Sequence, residues 1–244
     1  MYTRGQDNRF RLPVQALTFT HPMTAKHIKA VAFDLDGTLV DSIPDLAAAA
    51  NAMRAYLELP ALAELRIQQH VGDGIASLVH RAITDERDDQ AEPALWERGF
   101  TFFVQYYRDH LNVHSRVYAG VHDALGLLRA LQLPQVVITN KSERLAVPLL
   151  EELGMASSFS MILGGDSLPE KKPSALPLLH ACQTLGIRPD ELAMVGDSHN
   201  DVLAARAAGS LAVAVSYGYG DAASLEADHV VDSLVELYDL FKNT

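Results

Sequence analysis

The sequence predicts an α/β fold, a Rossmann-like doubly wound parallel sheet with one all-helical insertion. Three observations carry this expectation. Short apolar runs rich in β-branched residues recur from Val31 onward without polar alternation, as strands buried on both faces require. Segments of helical spacing lie between them, several closed by glycine. After the first strand, no further strand-like run appears until about Gly120.

Taken in order, the first strand is "KAVAFDLD", and the long connection after it reads as helices in "PDLAAAANAMRAYLEL", "GIASLVHRAI" and "PALWERGFTFFVQYYRDHL". From Gly120 the rhythm becomes regular. Strands are predicted at "PQVVITN", "FSMILGG", "LAMVGD", "LAVAVSYG" and "HVVDS". The helices that accompany them are "VHDALGLLRALQL", "SERLAVPLLEELGM", "PSALPLLHACQTLG" and "SHNDVLAARAAG". Ser174 is the expected N-cap of the third of these helices, with Pro177 in its first turn, where no backbone N–H is needed. Pro148, deeper in its segment, is expected to kink or delay that helix. The resulting organisation is a loose polar extension over residues 1–25, an α/β core over 26–42 and 119–244, and a helical cap over 43–118. Met23, near the end of this extension, is read as an alternative start.

Composition narrows the function. A net charge of −11 over 244 residues argues against nucleic acid or an anionic membrane as partner. No apolar run approaches the roughly 20 residues of a membrane helix. The polar, proline-broken N-terminal stretch lacks the features of a secretory signal. Cys182 is the single cysteine, which excludes intrachain disulfides and suits a reducing compartment, the cytoplasm.

Open α/β sheets bind ligands outside the carboxyl ends of their strands. Here those ends carry Asp34 and Asp36, then Thr139-Asn140-Lys141, then Gly164-Gly165-Asp166, then Gly196-Asp197-Ser198. Residues i and i+2 of a strand share a face, so Asp34 and Asp36 are expected to be neighbours. Two anions about 4 Å apart repel by roughly 4 kcal/mol at an effective dielectric of about 20. A cation answers that repulsion. Asp34 and Asp197 each offer a carboxylate oxygen and Asp36 its carbonyl, a donor set suited to Mg²⁺. With the metal bound, Asp34 can attack phosphorus and Asp36 can protonate the leaving oxygen, later activating water. Thr139 and the Asn140 N–H can bind phosphoryl oxygens, Lys172 can neutralise charge, and Asp201 can orient Lys172 or a metal-bound water. Thr38 and the flexible loop Gly72-Asp73-Gly74 complete the predicted substrate-binding set.

The motifs "DLDGT", "ITNK", "KKP" and "GDSHND" resemble, in order and spacing, those of the haloacid dehalogenase superfamily, and the resemblance runs from Ile28 to the end. It implies an alpha-helical cap in the insertion and a Mg²⁺-dependent phosphatase with Asp34 as nucleophile. "DLDGTLVDS", "VGDG", "GGD…KKP" and "VSYGYG" together are similar to phosphoglycolate phosphatases, which implies a small phosphorylated metabolite, 2-phosphoglycolate, as substrate. Within the superfamily, the alternatives are another sugar-phosphate phosphatase, a phosphomutase or a dehalogenase; the last needs neither Mg²⁺ nor an acid at Asp36. From another class, a phospho-accepting receiver domain shares the strand-end Asp, Thr and Lys, but not Asp36 or the large insertion.

Other residues draw plainer expectations. The resemblance implies an amide where Asp73 stands, and a carboxylate there is a poor neighbour for glycolate's own. His80 and Arg81 could offset that charge, although a solvated or core-edge place is the first expectation for both. Phe100, Phe102, Phe103, Tyr106 and Tyr107 read as the insertion's own core, Cys182 as a small buried residue, and "SYGYG" as a turn near the site. Asp41, Ser42 and residues 118–120 are the expected hinges.

Overall fold

The computed structural model describes residues 27–243, so the predicted N-terminal extension lies outside the described residues. The chain enters through β1 (Ala30–Phe33) and a two-residue β2 (Val40–Asp41). It then builds α1 (Ile43–Tyr56), α2 (Glu64–Gln68), α3 (Ile75–Thr84) and α4 (Pro93–Asp109), returning through β3 (Arg116–Val117). The remainder alternates: α5 (Val121–Ala130), β4 (Gln135–Ile138), α6 (Glu143–Glu152), β5 (Met161–Leu163), α7 (Leu176–Leu185), β6 (Leu192–Gly196), α8 (His199–Ala208), β7 (Leu211–Val215), β8 (His229–Val231) and α9 (Glu236–Phe241).

The main sheet has the order β5-β4-β1-β6-β7-β8, and every pairing in it is parallel. The chain starts in the middle, winds outward on one side through β4 and β5, then crosses to β6 and winds outward on the other. The carboxyl ends of β4, β1 and β6 therefore meet at the reversal of winding, where a crevice opens in such sheets.

Strand parity divides the core into two layers. Val31, Phe33, Val137 and Val195 join one buried cluster with Val121, Leu125 and Leu128 of α5 and Leu145 and Leu149 of α6. Ala30, Ala32, Ile138 and Met194 face the other cluster, with Leu178, Ala181 and Cys182 of α7 and Val202 and Ala205 of α8. Burial on both faces explains why these strands show no polar alternation.

The strands are shorter than their motifs. β1 ends at Phe33, so Asp34 and Asp36 are not two positions of one strand, and the period-two argument does not extend to them. A turn takes over instead. Leu39 and Val40 N–H donate to the Leu35 carbonyl, and Gly37 N–H donates to that of Val40. Gly37 has φ +86°, and a Cβ there would lie 2.2 Å from Asp197 Oδ2, so both backbone and space demand glycine. α7 starts one residue later than expected, with Ala175 at the N-cap; Ser174 Oγ still accepts from Leu176 N–H at 3.2 Å, and Pro177 lies in the first turn. α6 runs through Pro148.

The insertion is a packed group of helices, with α1 against α2 and α4, and α3 against α4. Gly99 lets α4 approach closely: a Cβ there would stand 3.1–3.2 Å from Ile83, Leu57 and Met53 side chains. Two ties hold its entry and exit together. β2 and β3 pair as a short antiparallel ribbon joining the outgoing and returning linkers. Buried Asp45, in the first turn of α1, accepts N–H bonds from Val113, His114 and Ser115 at 2.8–3.0 Å and the Ser115 hydroxyl at 2.7 Å.

Candidate active site

Four segments converge at the carboxyl rim. Asp34 and Asp36 follow β1, Thr139 to Lys141 follow β4, Asp197 follows β6, and Lys172 comes from the loop before α7. Asp34 Oδ1 accepts the Leu35 N–H at 2.7 Å and lies 2.9 Å from Lys172 Nζ. Lys172, almost fully buried, also donates to Asp201 Oδ1 at 2.6 Å. Asp201 is set by its helix: its Oδ2 accepts Ser198 N–H at 3.0 Å and Ser198 Oγ at 2.6 Å, a capping box at the start of α8. Asp197 accepts Thr38 Oγ1 at 3.2 Å and Tyr219 N–H at 2.7 Å. Carboxylate oxygens of Asp34, Asp197 and Asp201 lie within 4.8 Å of one another.

This cluster is short of positive charge. Burial pushes the Asp34 carboxyl up to about 6, with Lys172 opposing and Asp201 and Asp36 adding to the rise. Burial, reinforced by Asp34 and Asp201, pushes Asp197 up to about 8. Lys172 would be depressed by burial, but Asp201 and Asp34 more than reverse this and hold it protonated. Three near-buried carboxylates sharing one ammonium form an oxygen-only donor set that fits a hard divalent cation.

Asp36 stands apart from that cluster. Ser42 Oγ donates to its Oδ1 at 2.6 Å, and Lys141 Nζ reaches Oδ1 at 2.9 Å and Oδ2 at 3.1 Å. Lys141 also donates to Tyr107 Oη at 2.8 Å.

A cavity of about 380 Å³ opens over the rim, walled on the core side by Asp34, Asp36, Thr139, Asn140, Lys141 and Asp197, and on the insertion side by Gly72, Asp73, Gly74, Ile75 and Leu78. The Gly72–Gly74 loop is fastened down. Asn140 Nδ2 donates to the Gly72 carbonyl at 3.0 Å, Asn200 Nδ2 to Asp73 Oδ1 at 2.8 Å, and Lys171 Nζ to the Asp73 carbonyl at 2.6 Å. Thr38 lies beneath this surface, fully buried, with its hydroxyl on Asp197 and its carbonyl accepting Tyr217 Oη at 2.7 Å.

A family profile for haloacid dehalogenase-like hydrolases matches residues 28–209. The chain belongs to this family. Among the relatives of this haloacid dehalogenase-like hydrolase is a protein of Chromobacterium violaceum named phosphoglycolate phosphatase. It is 73% identical over 221 residues, covering 91% of this chain and all of that one. A Neisseria gonorrhoeae protein of the same name is 53% identical, over 88% of this chain and 93% of its own. The crystal structure of a predicted phosphoglycolate phosphatase from Haemophilus somnus superposes with a TM-score of 0.83 at 33% identity, over 88% of this chain and 98% of that one.

Several residues in and around the candidate site make contacts that the sequence pattern does not announce. Lys141 was visible at a strand end, in "ITNK", but its partner was not. Tyr107, expected only as insertion core, is fully buried yet sends its hydroxyl to Lys141. Arg81, part-buried, takes the alternative role of offsetting Asp73: it donates to Asp73 Oδ2 at 2.6 Å and to the His70 carbonyl at 3.0 Å. His80 accepts the Ala91 N–H on Nδ1 and stacks on Trp96, and burial lowers its pKa. The glycines of "SYGYG" let the chain press on Asp197: a Cβ on Gly218 would lie 2.2 Å from Asp197 Cβ. Cys182 is buried in the α7 layer, which pushes its thiol up to about 11.

Proposed function

We propose that the chain is a Mg²⁺-dependent phosphatase that hydrolyses 2-phosphoglycolate to glycolate and phosphate. The observation that carries this reading is the convergence of Asp34, Asp197 and Asp201 around Lys172 beneath a cavity whose other wall is the helical insertion. The substrate rests on the 73% identical relative named phosphoglycolate phosphatase.

Asp34, Asp197 and the Asp36 carbonyl would hold Mg²⁺, which supplies charge neutralisation for a phosphate dianion when bound. An Asp34 oxygen attacks phosphorus, forming a P–O bond to the carboxylate as the bond to the glycolate oxygen breaks. Asp36 gives that leaving oxygen its proton. It then takes a proton from water as the water oxygen attacks phosphorus, releasing phosphate and restoring Asp34. Lys172 faces charge on the nucleophile and on the phosphoryl group, with Asp201 fixing its position. Thr139 and the Asn140 N–H bind phosphoryl oxygens. Residues 43–118 act as a cap hinged at Asp41–Ser42 and at 118–120, closing over the substrate and excluding water.

Asp73 does not repel glycolate's carboxylate in this reading. Burial would raise its pKa, but hydrogen bonds from Asn200 and Arg81 more than reverse that, and its charge is already matched by Arg81. Arg87, a further cavity-lining cation, stands 4.0 Å from it.

The test is phosphate release over a panel of small phosphomonoesters with Mg²⁺. The highest kcat/KM is expected for 2-phosphoglycolate. A sugar phosphate in first place would replace the substrate and leave the chemistry standing; no release from any ester would end the phosphatase reading.

A further inference from the structure

The side chain with the least obvious reason to be where it is, is Lys141. An ammonium with 2% of its side chain exposed is costly to bury and needs several partners to be tolerated. It finds them on two different parts of the molecule. From the core side, both oxygens of Asp36 accept from Nζ at 2.9 and 3.1 Å. From α4 of the insertion, Tyr107 offers its hydroxyl at 2.8 Å, and the ring itself lies 4.9 Å from Nζ. Ser42, at the start of the linker into the insertion, holds Asp36 Oδ1 from a third direction. Tyr107 cannot adjust independently, since its ring is fully buried and packed against Phe103 at 5.8 Å.

We infer that Lys141 is a positioning residue for Asp36, and that Tyr107 makes this positioning depend on the seating of the helical insertion. This rests on the phosphatase reading, in which Asp36 exchanges a proton with the leaving oxygen and then with water. Ser42 and Lys141 both engage Oδ1, and Lys141 reaches Oδ2 at the longer distance. Oδ2 is thus the oxygen left for proton exchange, and its direction is set by the Lys141 contact. If the insertion lifts, Lys141 loses the Tyr107 hydroxyl and Asp36 loses a fixed direction, so proton transfer is confined to the closed state. Lys172 cannot substitute, being held by Asp34 and Asp201.

Three enzymes, the wild type, Lys141→Met and Tyr107→Phe, are compared on 2-phosphoglycolate and on 4-nitrophenyl phosphate. Nitrophenolate leaves without needing a proton, whereas water attack still needs Asp36. Lys141→Met is expected to lower kcat on 2-phosphoglycolate by roughly 100-fold with KM changed much less. On the aryl ester a burst near one nitrophenol per chain is expected, followed by slow turnover. Burst size counts folded, Asp34-competent enzyme, so a merely structural loss shrinks the burst instead. Tyr107→Phe, which keeps the ring, is expected to fall in the same direction by about 3- to 10-fold. Wild-type kcat in Lys141→Met, or a vanished burst, overturns the positioning role; wild-type kcat in Tyr107→Phe overturns the link to the insertion. Absence of turnover by the wild type on both esters overturns the phosphatase reading itself, and the inference with it.

Discussion

Two groups of acidic side chains, one at the sheet rim and one in the insertion, are balanced in opposite ways. In the insertion, Asp73 is met by Arg81 at 2.6 Å and Asp85 by Arg66 at 2.7 Å. Hydrogen bonding from Arg66 lowers the Asp85 pKa, and bonds from Asn200 and Arg81 lower that of Asp73 against the effect of burial. At the rim, Asp34, Asp197 and Asp201 share Lys172, and burial drives Asp34 to about 6 and Asp197 to about 8. Raising Asp197 that far corresponds to several kcal/mol, to order of magnitude, against its charged form. An acid balanced by arginine is a structural element. A buried acid left without balance marks a place built for a ligand of opposite charge.

The largest expected effect comes from breaking the rim cluster at Asp34, the proposed nucleophile. Asp34→Asn should lower turnover by roughly 10⁴-fold or more, while circular dichroism stays unchanged. It removes a repelled charge, so the melting temperature without metal should hold or rise. Chelating divalent cations should cost about 100-fold or more in kcat/KM, restored by Mg²⁺. Asp197→Asn should be comparably inactive and, unlike the wild type, should gain no thermal stability from added Mg²⁺.

The pH response sharpens the contrast. Asp34 and Asp197 have folded-state pKa values above the ordinary carboxylate value, so between about pH 4 and 8 the folded state holds more protons than the unfolded. Stability of the metal-free protein should therefore fall as pH rises through 6 and 8. Melting curves should show Mg²⁺ stabilising more at pH 8.5 than at pH 5.5. An equal gain at both would count against the pKa pattern of the cluster. The smallest effect belongs to the insertion: Asp85→Asn, at a part-exposed pair, should cost below about 1 kcal/mol by denaturant titration and leave kcat unchanged.

How much of this was legible in the sequence follows the range of each interaction. The six strands of the sheet announce themselves as continuous apolar, β-branched runs and the helices between them by their period, and the topology rule brings the strand ends together at one rim. Asp34, Thr139 and Asp197 meet there for that reason. Two residues of β2 and two of β3 carry no period, so the ribbon that ties the linkers was not visible. The turn at Gly37, rather than a continuing strand, places Asp36. The Lys141–Tyr107 contact joins residues 34 apart across core and insertion, and a tyrosine in an aromatic stripe gives no sign that its hydroxyl is spoken for. Arg81, 8 residues from Asp73, is legible as a candidate to offset it, whereas Asn200, 127 residues away, is not.

The most direct test is a crystal structure of the protein grown with Mg²⁺. One ion is expected at the rim, with oxygens of Asp34 and Asp197 at about 2.1 Å and Lys172 still on Asp34 and Asp201. A saturating concentration that leaves those carboxylates unligated, or places the ion elsewhere, would contradict that expectation.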